Sequence, residues 1–128
     1  MVFANDMDIN GANIIYVKIN DDEGTSQVVM NTASGGIELD ADEGQRVVNA
    51  CIAASRVHKL NFITLGTSRM VINSNFVVML RGTTMLLELH GGAAAEIELS
   101  EEDADKAERA LKAISYARSK KPYKPKKD

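Results

Sequence analysis

Apolar and polar residues alternate in short runs along most of the chain, a pattern typical of β-strands. In residues 14–19 the alternation places three apolar side chains on one face and Tyr16 and Lys18 on the other. Polar residues ending in Gly24 separate this run from a second one at residues 26–30. The pattern predicts an antiparallel hairpin that buries one face.

Strand-like runs continue through the rest of the chain, and glycines or short polar stretches separate them. They cover residues 37–39, 61–65, 69–73, 76–80, 84–89 and 96–99.

Two strand-like runs lead directly into segments with a helical apolar period. Asp40, with Glu43 three residues later, predicts a helix N-cap, and Ser100 with Asp103 predicts another. An apolar stripe along each segment indicates that it packs on a sheet. The two predicted helices run from residue 41 to about residue 59 and from residue 101 to about residue 118.

The two strand-to-helix junctions align at an offset of 60 residues, since Ile37-Glu38-Leu39 matches Ile97-Glu98-Leu99. A fixed offset indicates an internal repeat, although any capped helix after an alternating strand gives a similar pattern. We predict an α+β fold of antiparallel β-sheets with two helices and a candidate duplicated ββββα unit. A single domain spans residues 1–117, with candidate repeats at 1–59 and 60–117.

The composition is that of one folded domain, because 45% of the 128 residues are apolar and 26% are charged. A single cysteine, and a first segment without a basic start or a long apolar stretch, predict a cytoplasmic protein without disulfides. The longest apolar runs, such as residues 76–80, are far shorter than the ~20 residues of a membrane helix, so no membrane partner is expected.

Charge is divided unevenly along the chain. Residues 1–117 carry nine Lys/Arg and seventeen Asp/Glu, a net charge of −8, whereas residues 118–128 have a net charge of +5. Pro122 and Pro125 prevent a helix from continuing through this end. The pattern predicts a flexible basic tail at 118–128 that contacts an acidic partner, commonly nucleic acid, or else a merely solubilising end.

No constellation of catalytic or metal-binding residues is visible. His58, His90 and Cys51 do not form a ligand set, and Cys51 lies on an apolar helix stripe. Residues 40–44 begin like a calcium loop, but Cys51 stands where that loop needs a glutamate. We therefore predict a protein that is not an enzyme and has no metal or cofactor.

The remaining basic and aromatic residues favour nucleic-acid binding. Proteins that bind single strands use cations to contact the backbone and aromatic side chains to stack on the bases. The candidates on strands are Tyr16, Lys18, Arg69 and Arg81. The candidates at the basic end are Lys120, Lys121, Tyr123, Lys124, Lys126 and Lys127.

The plan of strands followed by a capped helix resembles a group of folds built on a four-strand-plus-helix unit: the Whirly proteins, the Pur-alpha repeats and the DNA-binding domain of positive cofactor four. The resemblance implies binding of single-stranded DNA or RNA across strand faces. The chain departs from that group in its acidic body and its 5% aromatic content. The residues that carry the resemblance are Gly35-Gly36-Ile37-Glu38-Leu39-Asp40 and Glu96-Ile97-Glu98-Leu99-Ser100.

Two hypotheses of function follow. The first is a non-enzymatic module that binds single-stranded DNA or RNA, in an accessory role in transcription or replication. The alternative is an oligomeric protein-interaction or structural-assembly subunit, such as a phage or bacterial accessory protein, without nucleic-acid binding. Residues 76–80 are apolar on both faces, which implies cover by a helix, a sheet or another chain. We therefore expect a homodimer or a higher oligomer.

Overall fold

The computed structural model describes residues 2–4, 7–58 and 61–120, and the side chains of residues 10–56 and 61–115. The first half contains β1 Val2–Ala4, β2 Met7–Ile9, β3 Ile14–Asn20, β4 Thr25–Met30, β5 Gly36–Asp40 and α1 Ala41–His58. The second half contains β6 Phe62–Leu65, β7 Met70–Asn73, β8 Val77–Arg81, β9 Thr84–Glu88, β10 Ala94–Glu98 and α2 Glu101–Lys120. Short 3₁₀ helices lie at Gly11–Asn13, Ser74–Phe76 and His90–Gly92.

All strand pairs are antiparallel, which confirms the predicted α+β fold with two helices. One sheet has the order β5-β4-β3-β7-β6, a second has the order β10-β9-β8, and β1 and β2 pair with each other. Within the described residues, five strands precede each helix, one more than in the predicted unit. In the first half the sequence pattern does not predict β1 and β2, whose three residues each are too few to show a period.

The five-stranded sheet is built from both halves of the chain, because β3 pairs with β7. Asn73, fully buried at the end of β7, donates from its Nδ2 to the carbonyl oxygen of Ile14 at 3.0 Å. Its Oδ1 accepts from the backbone N–H of Asn75 at 3.0 Å and begins the 3₁₀ helix that follows. One side chain thus fixes both the joint between the halves and the path into β8.

Each helix covers its own apolar core, and both predicted N-caps are confirmed. Asp40 Oδ1 accepts from the N–H of Glu43 at 2.7 Å, and Ser100 Oγ accepts from the N–H of Asp103 at 3.1 Å. The buried side chains of the first core are Ile14, Val17, Ile19, Val28, Leu39, Val47, Val48, Cys51 and Val71. Those of the second core are Ile15, Ile63, Leu65, Met70, Ile72, Met85, Leu87, Leu99, Ala104 and Ala107.

The helix α2 continues to Lys120, so residues 118–120 of the predicted tail belong to its end. Residues 121–128 lie outside the part of the chain that the structure describes. Neither described helix combines the length and apolar character needed to cross a membrane.

The start of α1 lies very close to β4 at Gly44. A Cβ at this position would stand 2.1 Å from Ser26 Oγ and 2.3 Å from Ser26 Cβ. Ser26 is buried, and its hydroxyl donates to the carbonyl oxygen of Asp40 at 2.9 Å. Glycine is therefore required here by the close approach of helix and strand.

We expect Gly44→Ala to lower the free energy of unfolding by about 1–3 kcal/mol, because the added methyl group overpacks the contact with Ser26. Urea denaturation measures the change. Gly66→Ala is the matched control, since a Cβ at Gly66 meets no atom within 4 Å, and it should stay within about 1 kcal/mol of the parent protein.

The double variant Ser26→Gly/Gly44→Ala separates this clash from other effects, because it removes the side chain that the new methyl group meets. It should be less destabilised than the sum of the two single variants. Equal stability of Gly44→Ala and Gly66→Ala would show that the close approach is absent.

Candidate functional site

Lys18, a predicted nucleic-acid contact, lies exposed on β3. Its Nζ donates to the carbonyl oxygen of Ser68 at 3.3 Å. Across the sheet it pairs with Gln27, which in turn pairs with Glu38. The cross-strand row of side chains that contains Lys18 therefore also contains the Glu38 carboxylate.

Arg69 is held by two neighbours in the folded chain. Its guanidinium donates to both carboxylate oxygens of Asp21, at 2.7 and 2.9 Å, and to Gln45 Oε1 at 2.9 Å. The hydrogen bond from Arg69 is the main reason why the pKa of Asp21 lies below its ordinary value. Arg69 thus ties the β6–β7 turn to the β3–β4 turn and to α1, and its backbone has a positive φ of 53°.

The other two strand candidates differ in their surroundings. Tyr16 is half-buried against the second core, and burial raises the pKa of its phenol. Arg81 is exposed at the end of β8 and pairs with Thr84, which in turn pairs with Glu98. Thr83 and Thr84 both donate to the Glu98 carboxylate, and these bonds lower its pKa.

The described strand candidates do not form a single basic patch. Lys18 and Arg69 are neighbours, because Lys18 pairs with Met70, whereas Arg81 belongs to the other sheet. Lys120 ends α2, and its side chain lies outside the described residues. Lys121, Tyr123, Lys124, Lys126 and Lys127 also lie outside them, and their role stays a prediction.

The described residues do not gather a metal-binding cluster of three or more His, Cys, Asp or Glu. Cys51 is fully buried, and burial raises the pKa of its thiol to about 12, so it is not a thiolate at neutral pH. The Asp40 carboxylate, first in the calcium-like pattern, caps α1.

The outer edge of β8 carries the most exposed large apolar side chains of the described chain. Val78 is 57% exposed and Met79 is 45% exposed. One edge of β8 pairs with β9, and none of the described strands pairs with the other. The backbone groups of an open edge are free to pair with a further strand. We call this surface, comprising Val77–Arg81, the β8 edge.

A groove runs between the β8 edge and the second half of α2. Among the residues that line it, Ser74 is buried and its Oγ has no hydrogen-bond partner in the described structure. A buried hydroxyl normally has a partner, and a single ordered water molecule is the ordinary one. The apolar lining residues are Val77, Val78, Met79, Leu80, Leu111 and Ile114.

The sequence marks β8 as unusual, because residues 76–80 are apolar on both faces. Its position at the edge of a sheet depends on strand order, which the sequence does not reveal. Ser74 also lies outside the sequence predictions, since an isolated serine in a turn carries no signal of burial.

Comparison of the chain with protein-family models, with curated proteins and with solved structures finds no significant match.

We expect Arg69→Ala to raise the pKa of Asp21 toward its ordinary value, because the hydrogen bonds that favour the carboxylate are lost. NMR titration of the side-chain carboxyl measures the change. The pair stabilises the folded chain above the unfolded-state pKa of Asp21, and this contribution is lost as pH falls through the lower folded-state pKa.

Arg81→Ala serves as the control, since Arg81 belongs to the other sheet, and it should leave the Asp21 titration unchanged. An Asp21 pKa that is the same with and without Arg69 would contradict the ion pair.

Proposed function

We propose that this protein is a non-enzymatic assembly subunit that associates with a second copy of itself through the β8 edge. The observation that carries the proposal is the exposure of Val78 and Met79 on a strand whose outer edge is unpaired among the described residues. Natural proteins usually protect such an edge with charge, proline, a bulge or a covering element. In β8 a bulge lies at Val78, and the exposed centre of the strand is apolar.

The groove beside the edge supports a polypeptide partner. A strand added to β8 would satisfy its free backbone groups, while Leu80, Leu111 and Ile114 would receive apolar side chains. The open edge and the apolar groove thus favour the same kind of ligand, an extended polypeptide.

Charge gives this association a salt dependence opposite to that of nucleic-acid binding. Two copies of the chain, each with a net charge of −3, repel each other, and added salt screens the repulsion. Self-association through an apolar edge should therefore strengthen with salt, whereas binding to phosphates weakens.

We expect Met79→Lys to raise the dissociation constant of the dimer at least about tenfold, because a lysine in the contact must be desolvated without a partner. Sedimentation velocity over a concentration series measures it. Ala94→Lys is the control: it adds the same charge at an exposed position on β10, the opposite edge strand of this sheet.

The control should sediment like the parent protein. A monomer at every concentration of the parent protein, or equal effects of the two lysines, would refute association through the β8 edge.

A second candidate function is binding of single-stranded nucleic acid by the basic end of the chain. It is supported by the charge division, since residues 118–128 carry +5 against −8 for the rest. The resemblance to the Whirly group supports the same activity. The cations on the described strands and turns contribute less. Arg69 is engaged by Asp21, and a carboxylate lies in the same cross-strand row as Lys18 and as Arg81.

We expect truncation after Lys120, where α2 ends, to flatten the salt dependence of oligonucleotide binding. Residues 121–128 contain four lysines, and each phosphate neutralised on a single strand contributes a slope of about −0.7, so the slope should fall in magnitude by about 3. Fluorescence anisotropy of a labelled oligonucleotide measures it.

The comparison variant Lys18→Ala/Arg81→Ala should change the slope little. A larger loss from these strand substitutions than from the truncation would place the binding site on the sheets. No binding by the full chain at low salt would refute the activity.

A further inference from the structure

The two halves of the chain share a detail of strand register. In β3, Ile14 pairs with Met30 and Tyr16 with Val29, which leaves Ile15 as the extra residue of a β-bulge. In β8, Val77 pairs with Leu87 and Met79 with Leu86, which leaves Val78 as the extra residue of the same kind of bulge. The strands β3 and β8 therefore occupy equivalent positions, with equivalent residues 63 positions apart.

The hairpins that precede these strands are also equivalent. Each is followed by a 3₁₀ helix that begins at an asparagine, Asn10 in the first half and Asn73 in the second. In both, the asparagine Oδ1 accepts from the N–H two residues later, at 3.1 Å in Asn10 and 3.0 Å in Asn73. The strand β1 lies against α1, as β6 lies against α2.

The equivalence fails at one place, the outer edges of β3 and β8. The β6–β7 hairpin covers the edge of β3 through β7, and Ile15 is fully buried. Among the described strands, β1 and β2 pair with each other and with no third strand, and Val78, the counterpart of Ile15, is 57% exposed. Asn73 donates to the carbonyl oxygen of Ile14, across the pairing of β7 with β3. Its counterpart Asn10 is exposed, and in the described structure its amide nitrogen does not donate to Val77, the counterpart of Ile14.

We propose that the β1–β2 hairpin of a second copy of this chain completes the β8 edge, with β2 pairing with β8 as β7 pairs with β3. When β2 pairs with β8 in the register that β7 has with β3, Ile9 lies opposite Met79 and Met7 lies opposite Arg81. Asn10 Nδ2 then donates to the carbonyl oxygen of Val77. This inference rests on the proposed self-association and names the segment that carries it.

Reciprocal exchange pairs two of the open strand edges of the described chain, those of β2 and β8. Each copy has one open β8 edge and one hairpin without a sheet, so two copies satisfy both twice and form a closed dimer. The β1–β2 hairpin lies against α1, and pairing of β2 with β8 would also give a partner to its open strand edge. The arrangement also covers Val78, as Ile15 is covered in the first half.

The test mixes two single variants of the full chain, Met7→Cys and Arg81→Cys, under mild oxidation. A disulfide between the introduced thiols can form only between copies, and non-reducing electrophoresis should show a band of twice 13.9 kDa. Asp8→Cys mixed with Arg81→Cys is the control, one residue out of register, and should cross-link at least about fivefold less. The native Cys51 is buried and protonated, so it does not compete.

The possible results of sedimentation and cross-linking distinguish the hairpin exchange from self-association in general. A dimer in sedimentation without the Met7–Arg81 cross-link overturns the exchange but leaves self-association standing. Cross-linking confined to single chains in the double variant Met7→Cys/Arg81→Cys shows that the hairpin closes on its own β8, which overturns the second copy as occupant. A monomer at all concentrations overturns both proposals.

The amide of Asn10 provides an independent readout. Asn10→Asp keeps the oxygen that accepts from Ala12 but removes the donor to Val77, and should raise the dimer dissociation constant about tenfold. Asn13→Asp introduces the same charge at an exposed position of the same 3₁₀ helix and serves as control. Equal dissociation constants for the two variants would contradict the proposed bond.

Discussion

The pairing of β3 with β7 is the contact on which the rest of this structure depends. It turns two separate sets of strands into one five-stranded sheet, and it supplies the acceptor, the Ile14 carbonyl, that a fully buried Asn73 amide requires. Without that acceptor, desolvation of the amide would be uncompensated and would cost about 1–3 kcal/mol. The ion pair of Arg69 with Asp21 spans the same joint.

Local patterns in the sequence predict the elements of this fold well. Strand alternation and capping depend on residues a few positions apart, so β3, β4 and both helix starts at Asp40 and Ser100 are correctly predicted. Strand order depends on contacts such as that of Tyr16 with Ile72, which are distant in sequence and leave no local period. The short strands β1 and β2 are missed for the opposite reason, since each has too few residues for any period.

The candidate site shows the same division between local and distant information. Residue type identifies Lys18, Arg69 and Arg81 as cations in or beside strands. The sequence shows neither that Arg69 lies in the β6–β7 turn nor that it meets Asp21, 48 residues away. Apolar residues on both faces of β8 are visible in the sequence, whereas the exposure of Val78 follows only from an edge position. A count of charged residues therefore overstates the number of cations that are free to bind a ligand.

The sharing of one sheet between two halves has a consequence during synthesis on the ribosome. Residues 14–58 contain three strands and a helix, yet the outer edge of β3 is left without its neighbour until β7 has been made and has emerged. Domains generally fold as units as the chain grows from its amino end. Here the smallest unit that can fold cotranslationally with a closed β3 edge extends through Asn73, beyond the boundary between the two halves.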